Sequence, residues 1–152
     1  MNIIEKKVKA IIRWIKNDYP VKTIITGSWV FAKCPYKVIR QLDNEYATIS
    51  LEEMTKILQD DWTHDLPFNP QTFDCNAYAI SLKARLQEMG FNSVGLADGQ
   101  QLDNGKLIDH WFNVWFDDKQ NWYIIEPQDG LITLANRPVI NNKGYKINWI
   151  II

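Results

Sequence analysis

The chain has 152 residues, 46% hydrophobic and 23% charged, proportions that allow one domain with a real core and exclude a disordered tail or a disulfide-dependent miniprotein. Seventeen Lys and Arg against eighteen Asp and Glu leave a formal charge of -1, so no global basic field exists to hold nucleic acid or an acidic bilayer. Its apolar runs fall far short of the ~20 residues of a membrane span, and basic residues interrupt the N-terminus from Met1 to Asp18, which predicts no signal peptide and a cytoplasmic, intracellular setting.

In chain order, Ile4, Val8, Ile11, Ile12 and Ile15 recur at helical spacing, which predicts a structural amphipathic helix over 3–17, ending before Pro20. From Val21 to Tyr46 the pattern is mixed, and strand and turn both remain open there. Ser50-Leu51-Glu52-Glu53 fits a capping box opening a short helix to about Gln59. Pro67 and Pro70 predict a loop over 61–72. After it, Tyr78, Leu82, Leu86 and Met89 lie on one face of a helix from about Phe73 or Asp74 to Met89, stopped by Gly90. Strands are predicted at 92–97, 108–116, 122–126, 131–134 and 145–151, with 97–105 read as a wide hairpin connection and candidate lid. The layout is one α+β domain, 1–152, with a helical or irregular part at 1–71 and a helix-plus-sheet part at 72–152. Helices come first and a mostly antiparallel sheet second.

Two cysteines, Cys34 and Cys75, are too few for a disulfide framework and are treated as separate thiols. Cys75 falls in the first turn of the second long helix, where backbone N–H groups favour the thiolate. The histidines are His64 and His110. If Asp117-Asp118-Lys119 forms a three-residue turn, Phe116 faces Gln120 and His110 lies directly opposite Glu126. A thiol, an imidazole and a carboxylate then supply nucleophile, general base and orienting acid. A zinc site built from the two cysteines and two histidines lacks paired ligand spacing.

The segments Asp74-Cys75-Asn76-Ala77-Tyr78-Ala79, Asp109-His110-Trp111-Phe112-Asn113-Val114 and Trp122-Tyr123-Ile124-Ile125-Glu126-Pro127 resemble the core of the papain-like and transglutaminase-like thiol enzymes. The Glu-Pro-Gln ending is closest to the calcium-dependent cysteine protease domain found with a mushroom β-trefoil agglutinin. The resemblance covers about 72–129. It implies a papain/transglutaminase-like core in which Cys75, His110 and Glu126 act on a peptide or protein amide through a thioester, by hydrolysis or by acyl transfer. It also implies an oxyanion donor near the cysteine; papain-like proteases have a Gln some six residues upstream, where this chain has Asn69, so the role goes to Gln71 with the Cys75 amide. Trp62 is the expected lining of a substrate groove. Calcium is not required by the chemistry, although Asp117, Asp118, Gln128 and Asp129 could offer oxygen ligands. The alternative is a catalytically silent version of the fold serving as a binding or structural module, in a phage or mobile-element setting.

Overall fold

The computed structural model describes residues 1–16 and 18–152. In chain order it contains α1 (Ile3–Lys16), β1 (Thr23–Thr26), α2 (Gly27–Lys33), β2 (Val38–Arg40), β3 (Glu45–Thr48), α3 (Leu51–Asp60), a 3-10 turn at Thr63–Asp65, α4 (Cys75–Glu88), β4 (Val94–Asp103), β5 (Lys106–Phe116), β6 (Trp122–Glu126), β7 (Leu131–Leu134), β8 (Val139–Ile140) and β9 (Lys143–Ile151). The main sheet runs β2-β9-β4-β5-β6-β7, with β8 on β9, and β1 and β3 form a separate ladder. Helices and strands therefore interleave in the N-terminal half, which corrects the expected order of helices first and sheet second. The β2 strand joins β9 in parallel, a pairing between distant segments that no local pattern announces.

The sheet is covered on both faces. Along β6 every residue is buried, and the side chains alternate between two clusters. Trp122 and Ile124 join Phe112, Val114, Phe116, Tyr145 and Ile150, whereas Tyr123 and Ile125 join Trp115 and Leu82 and Leu86 of α4. Such a strand must be apolar at successive positions, as Trp-Tyr-Ile-Ile is.

Local chemistry explains the element ends. Ser50 and Glu53 exchange reciprocal backbone bonds at 3.3 Å each, closing the capping box of α3. The Asp74 carboxylate caps α4 by accepting from Asn76 and Ala77 N–H, and Gly90, at φ +86°, ends it in the left-handed region. The β4–β5 hairpin turns on Asn104 and Gly105, both at positive φ, as a two-residue turn between right-twisted strands requires. Residues 97–103 are therefore strand, and the expected lid is corrected to one arm of a hairpin.

Helix α1 forms where its spacing places it, but the apolar residues are exposed. Ile4 and Ile15 are 70% and 69% exposed, whereas Lys6 is only 7% exposed. Its basic face docks instead, with Lys6 on Asp65 at 2.7 Å and Lys9 and Arg13 on Asp60 at 2.6 and 3.1 Å. The expected last residue, Asn17, lies outside the described residues.

Candidate functional site

A single buried amide ties α4 to the sheet. Asn113 on β5 is fully buried and donates from Nδ2 to Ala79 O of α4 at 2.9 Å and to Gly95 O of β4 at 3.1 Å. One helical turn before Ala79 stands Cys75, and two strand residues before Asn113 stands Trp111, whose backbone N–H is among the groups that lower the Cys75 thiol.

The next strand supplies the acid. Phe116 pairs with Trp122 and Asn113 with Ile125, so the connection is five residues long, 117–121, and the register differs by two from the three-residue turn expected. The face is unchanged, because side chains alternate with period two. Glu126 thus still meets His110, diagonally rather than directly opposite, with Nε2 of the ring 2.8 Å from Oε2. His110 and Glu126 are 7% and 3% exposed. The bond to Glu126 occupies Nε2, and the Cys75 thiol donates to Asn76 Oδ1 at 3.5 Å.

Charge is stabilised along this row. Burial opposes a proton on His110, yet its hydrogen bonds to Cys75 and Glu126 and the two negative charges outweigh that cost and raise the ring to about 9. The thiol is lowered, first by its hydrogen bond to His110, against burial, with help from Trp111 N–H and the imidazolium charge and opposition from Asp74. Two causes are expected to act together, the helix N-terminus and a protonated His110. Asp74 takes the two N–H groups of the first turn as a cap, so the histidine carries the larger share. The arrangement favours a thiolate–imidazolium pair with a carboxylate behind it.

Other expected residues fall elsewhere. Gln71 is exposed, its backbone N–H bonded to Asn69 Oδ1 at 2.9 Å, and among the described residues its side-chain amide has no hydrogen-bond partner. Trp62 lies between two cations, Arg85 at 3.9 Å and Lys7 at 4.5 Å from its ring centroid. It lines a cavity of about 620 Å³ with residues of α1 and the end of α4, and none of Cys75, His110 or Glu126 lines that cavity. His64 contacts Lys6 Nζ at 3.0 Å. Of the candidate calcium ligands, Asp117 already accepts from Lys119 N, Asn121 N and Nδ2, and Tyr123 OH, and Asp129 accepts from Leu131 N and Asn141 Nδ2, whereas Asp118 Oδ1 is buried with no hydrogen-bond partner among the described residues. Among the described residues, no three His, Cys, Asp or Glu stand together as a metal site. Nor is any described helix long and apolar enough to cross a membrane.

Two residues of the site were missed by sequence reasoning. Tyr145 donates to Glu126 Oε2 at 2.7 Å, and Gln101 donates to the Tyr145 hydroxyl at 2.8 Å. Tyr145 was legible only as a member of a strand and Gln101 only as part of a hairpin connection, since nothing local sets β9 beside β4.

No family model and no curated protein matches the chain. The fold is shared with solved lectin structures. One, described as a PSL1a–E64 complex, aligns with a TM-score of 0.64 at 20% identity, over 85% of this chain and 51% of that one. Another is Polyporus squamosus lectin bound to the human-type influenza-binding epitope Neu5Acα2-6Galβ1-4GlcNAc, with a TM-score of 0.63 at 20% identity, over 85% of this chain and 49% of that one. The chain spans about half the length of these structures, and the likeness is one of fold.

These neighbours correct several linked expectations. A papain-like or transglutaminase-like superfamily, a core of that type, a cysteine hydrolase or acyltransferase working through a thioester, and a peptide or protein amide substrate were all expected. Of these two structures that share the fold, one is described as a complex with E64 and the other as a lectin bound to a glycan, and neither is described as a papain-like or transglutaminase-like enzyme. A binding module, the alternative held beside the enzyme, fits these neighbours better.

Proposed function

We propose that the domain is a ligand-binding module whose centre is the Cys75 thiolate, kept reactive by His110 and Glu126. The observation that carries this reading is the buried 2.8 Å bond between His110 and Glu126, which stabilises an imidazolium and hence the thiolate beside it. A thiolate so placed captures electrophilic ligands. E64, the ligand of one structural neighbour, carries an epoxide: the Cys75 sulfur attacks an epoxide carbon, an S–C bond forms as a C–O bond breaks, and the released alkoxide takes the proton from His110. Incubation of the chain with E64 at pH 7, followed by intact and peptide mass spectrometry, should add one whole molecule of E64, at Cys75. Cys34, which burial pushes up to about 11, should stay unmodified. An unmodified chain, an adduct at Cys34, or a Cys75 rate that His110→Ala leaves unchanged would refute the reading.

A glycan is the second reading, favoured by one cross-strand row. Asp98 pairs with Trp111 on β5 and with Trp149 on β9, and the two indoles meet edge to face at 5.7 Å. Both are half-buried, and Asn148 donates to Asp98 at 3.3 Å. Indole faces flanked by carboxylate and amide suit the C–H and O–H groups of a pyranose. Titration with Neu5Acα2-6Galβ1-4GlcNAc should change tryptophan fluorescence, and Trp149→Ala should abolish the change; a chain that gives no change with this glycan would end this reading.

A further inference from the structure

Behind the row from Cys75 to Glu126 lies a second one that the capture chemistry does not itself use. Glu126 Oε1 accepts from Gln128 N–H at 3.2 Å, while Oε2 accepts from both His110 and Tyr145. Tyr145 and Gln101 are direct partners across β9 and β4, 7% and 8% exposed. The edge of the Tyr145 ring packs on Phe112 at 5.1 Å, and its centroid is 6.1 Å from that of His110. Because Gln101 donates to the phenol oxygen, the phenol proton has one direction left, toward Glu126. Burial, then the Glu126 charge, raise the phenol far above its ordinary value, so it stays a donor at every pH the fold meets.

We propose that Tyr145, oriented by Gln101, is a positioning residue of the thiol centre, aiming the Glu126 carboxylate at His110. This rests on the reactive-thiol reading above. Removing the phenol leaves Glu126 held by the His110 and Gln128 bonds alone, so the carboxylate is free to turn from the ring. A carboxylate turned away stabilises the imidazolium less, the ring gives up its proton at lower pH, and less of the thiol beside it is ionised. The acid limb of Cys75 reactivity should therefore move to higher pH. The other charged groups facing the row are Asp129, which repels Glu126 and is itself near Lys143, and Asp74, which opposes the thiolate. None of these is altered by a change at Tyr145 or Gln101.

The test is the rate of Cys75 alkylation by iodoacetamide from pH 5 to 9 in the full chain, located by peptide mass spectrometry. Tyr145→Phe keeps the ring and removes only the hydroxyl. The rate at pH 6 should fall by about tenfold, the effect of moving the acid limb up by ~1 pH unit, with the rate at pH 9 little changed. Gln101→Leu, which frees the phenol without removing it, should shift the limb in the same direction by less. It also serves where Tyr145→Phe melts below the assay temperature. A wild-type chain unreactive at Cys75 at pH 6 would sink both this inference and the reading beneath it. A reactive wild type whose profile Tyr145→Phe and Gln101→Leu leave superposable would sink this inference alone, as would an equal slowing at every pH.

Discussion

Replacing Cys75 by Ser should change how stability depends on pH, in a window that the two shifts define. The His110 ring is raised from its ordinary 6.5 to about 9. A raised basic group contributes stability that is complete below its unfolded pKa and is lost as pH rises through its folded pKa. On its own, His110 would cost the fold about 3 kcal/mol between pH 6.5 and 9, at ~1.4 kcal/mol per pKa unit. The thiol acts with the opposite sign. Its folded pKa is lowered from the ordinary 9.0, so below pH 9 there is a range in which the native state has released a thiol proton that the unfolded chain still holds. In that range the proton lost by Cys75 offsets the one gained by His110, and stability should fall with pH less steeply than His110 alone would make it. Cys75→Ser removes the compensating proton from the unfolded chain, so stability of the variant should fall more steeply than that of the parent as pH rises above 6.5. The slope should approach but not exceed ~1.4 kcal/mol per pH unit, and it should end before pH 9, because the ring has also lost the thiolate that helps to raise it. Urea unfolding at half-unit steps from pH 6 to 9.5, compared between the two chains, isolates this effect from groups common to both. Parallel curves would show that Cys75 and His110 do not exchange a proton in the native state.

Glu126→Gln should lower the pH at which His110 loses its proton and slow iodoacetamide capture at Cys75 at pH 7 by tenfold or more, since an amide offers the ring no charge; an unchanged rate would assign the imidazolium's support to another group. Ser50→Ala should cost ~1 kcal/mol in chemical denaturation through loss of the α3 cap, without altering the pH profile of Cys75, and a change in that profile would show that α3 and the thiol centre are coupled.

What could be read before folding was chiefly what short range decides. The cap of α3, its helix, α4 with its Gly90 stop, and strands β6 and β7 each depend on neighbours within four residues, and they stand where the pattern placed them. Asn104-Gly105 sets the width of the hairpin at 97–105: the connection is this two-residue turn and not the wide one expected, as the positive φ values of the dipeptide show. The pairing of β2 with β9, and hence of Tyr145 with Gln101, depends on segments far apart in sequence. Helix α1 shows a different limit. Its amphipathic period was real, but a period tells that one face is apolar and not which face finds a partner. Asp60, Asp61 and Asp65 offer carboxylates and a carbonyl at one end of α3, and Lys6 reaches Asp61 O at 3.2 Å as well as Asp65. A cation this buried is tolerated only with several acceptors, and that local supply decided the orientation.

The Cys75–His110–Glu126 row shows why chemistry can survive an error in geometry. The expected turn was two residues too short, and every cross-strand partner of β5 on β6 was displaced accordingly. An odd displacement would have sent Glu126 to the α4 face, among Trp115, Tyr123 and Ile125, and left a carboxylate in an apolar cluster. An even one keeps it on the His110 face and moves it along the strand by two residues, a distance of ~7 Å. A diagonal neighbour is within reach of a side chain as long as glutamate. With Asp at this position the side chain would be one methylene shorter, and the same displacement would strain the 2.8 Å bond to the ring. The length of Glu126 and the five-residue turn before it are thus linked: the longer acid spans the diagonal that the longer turn creates, and Tyr145 then fixes which way its carboxylate points.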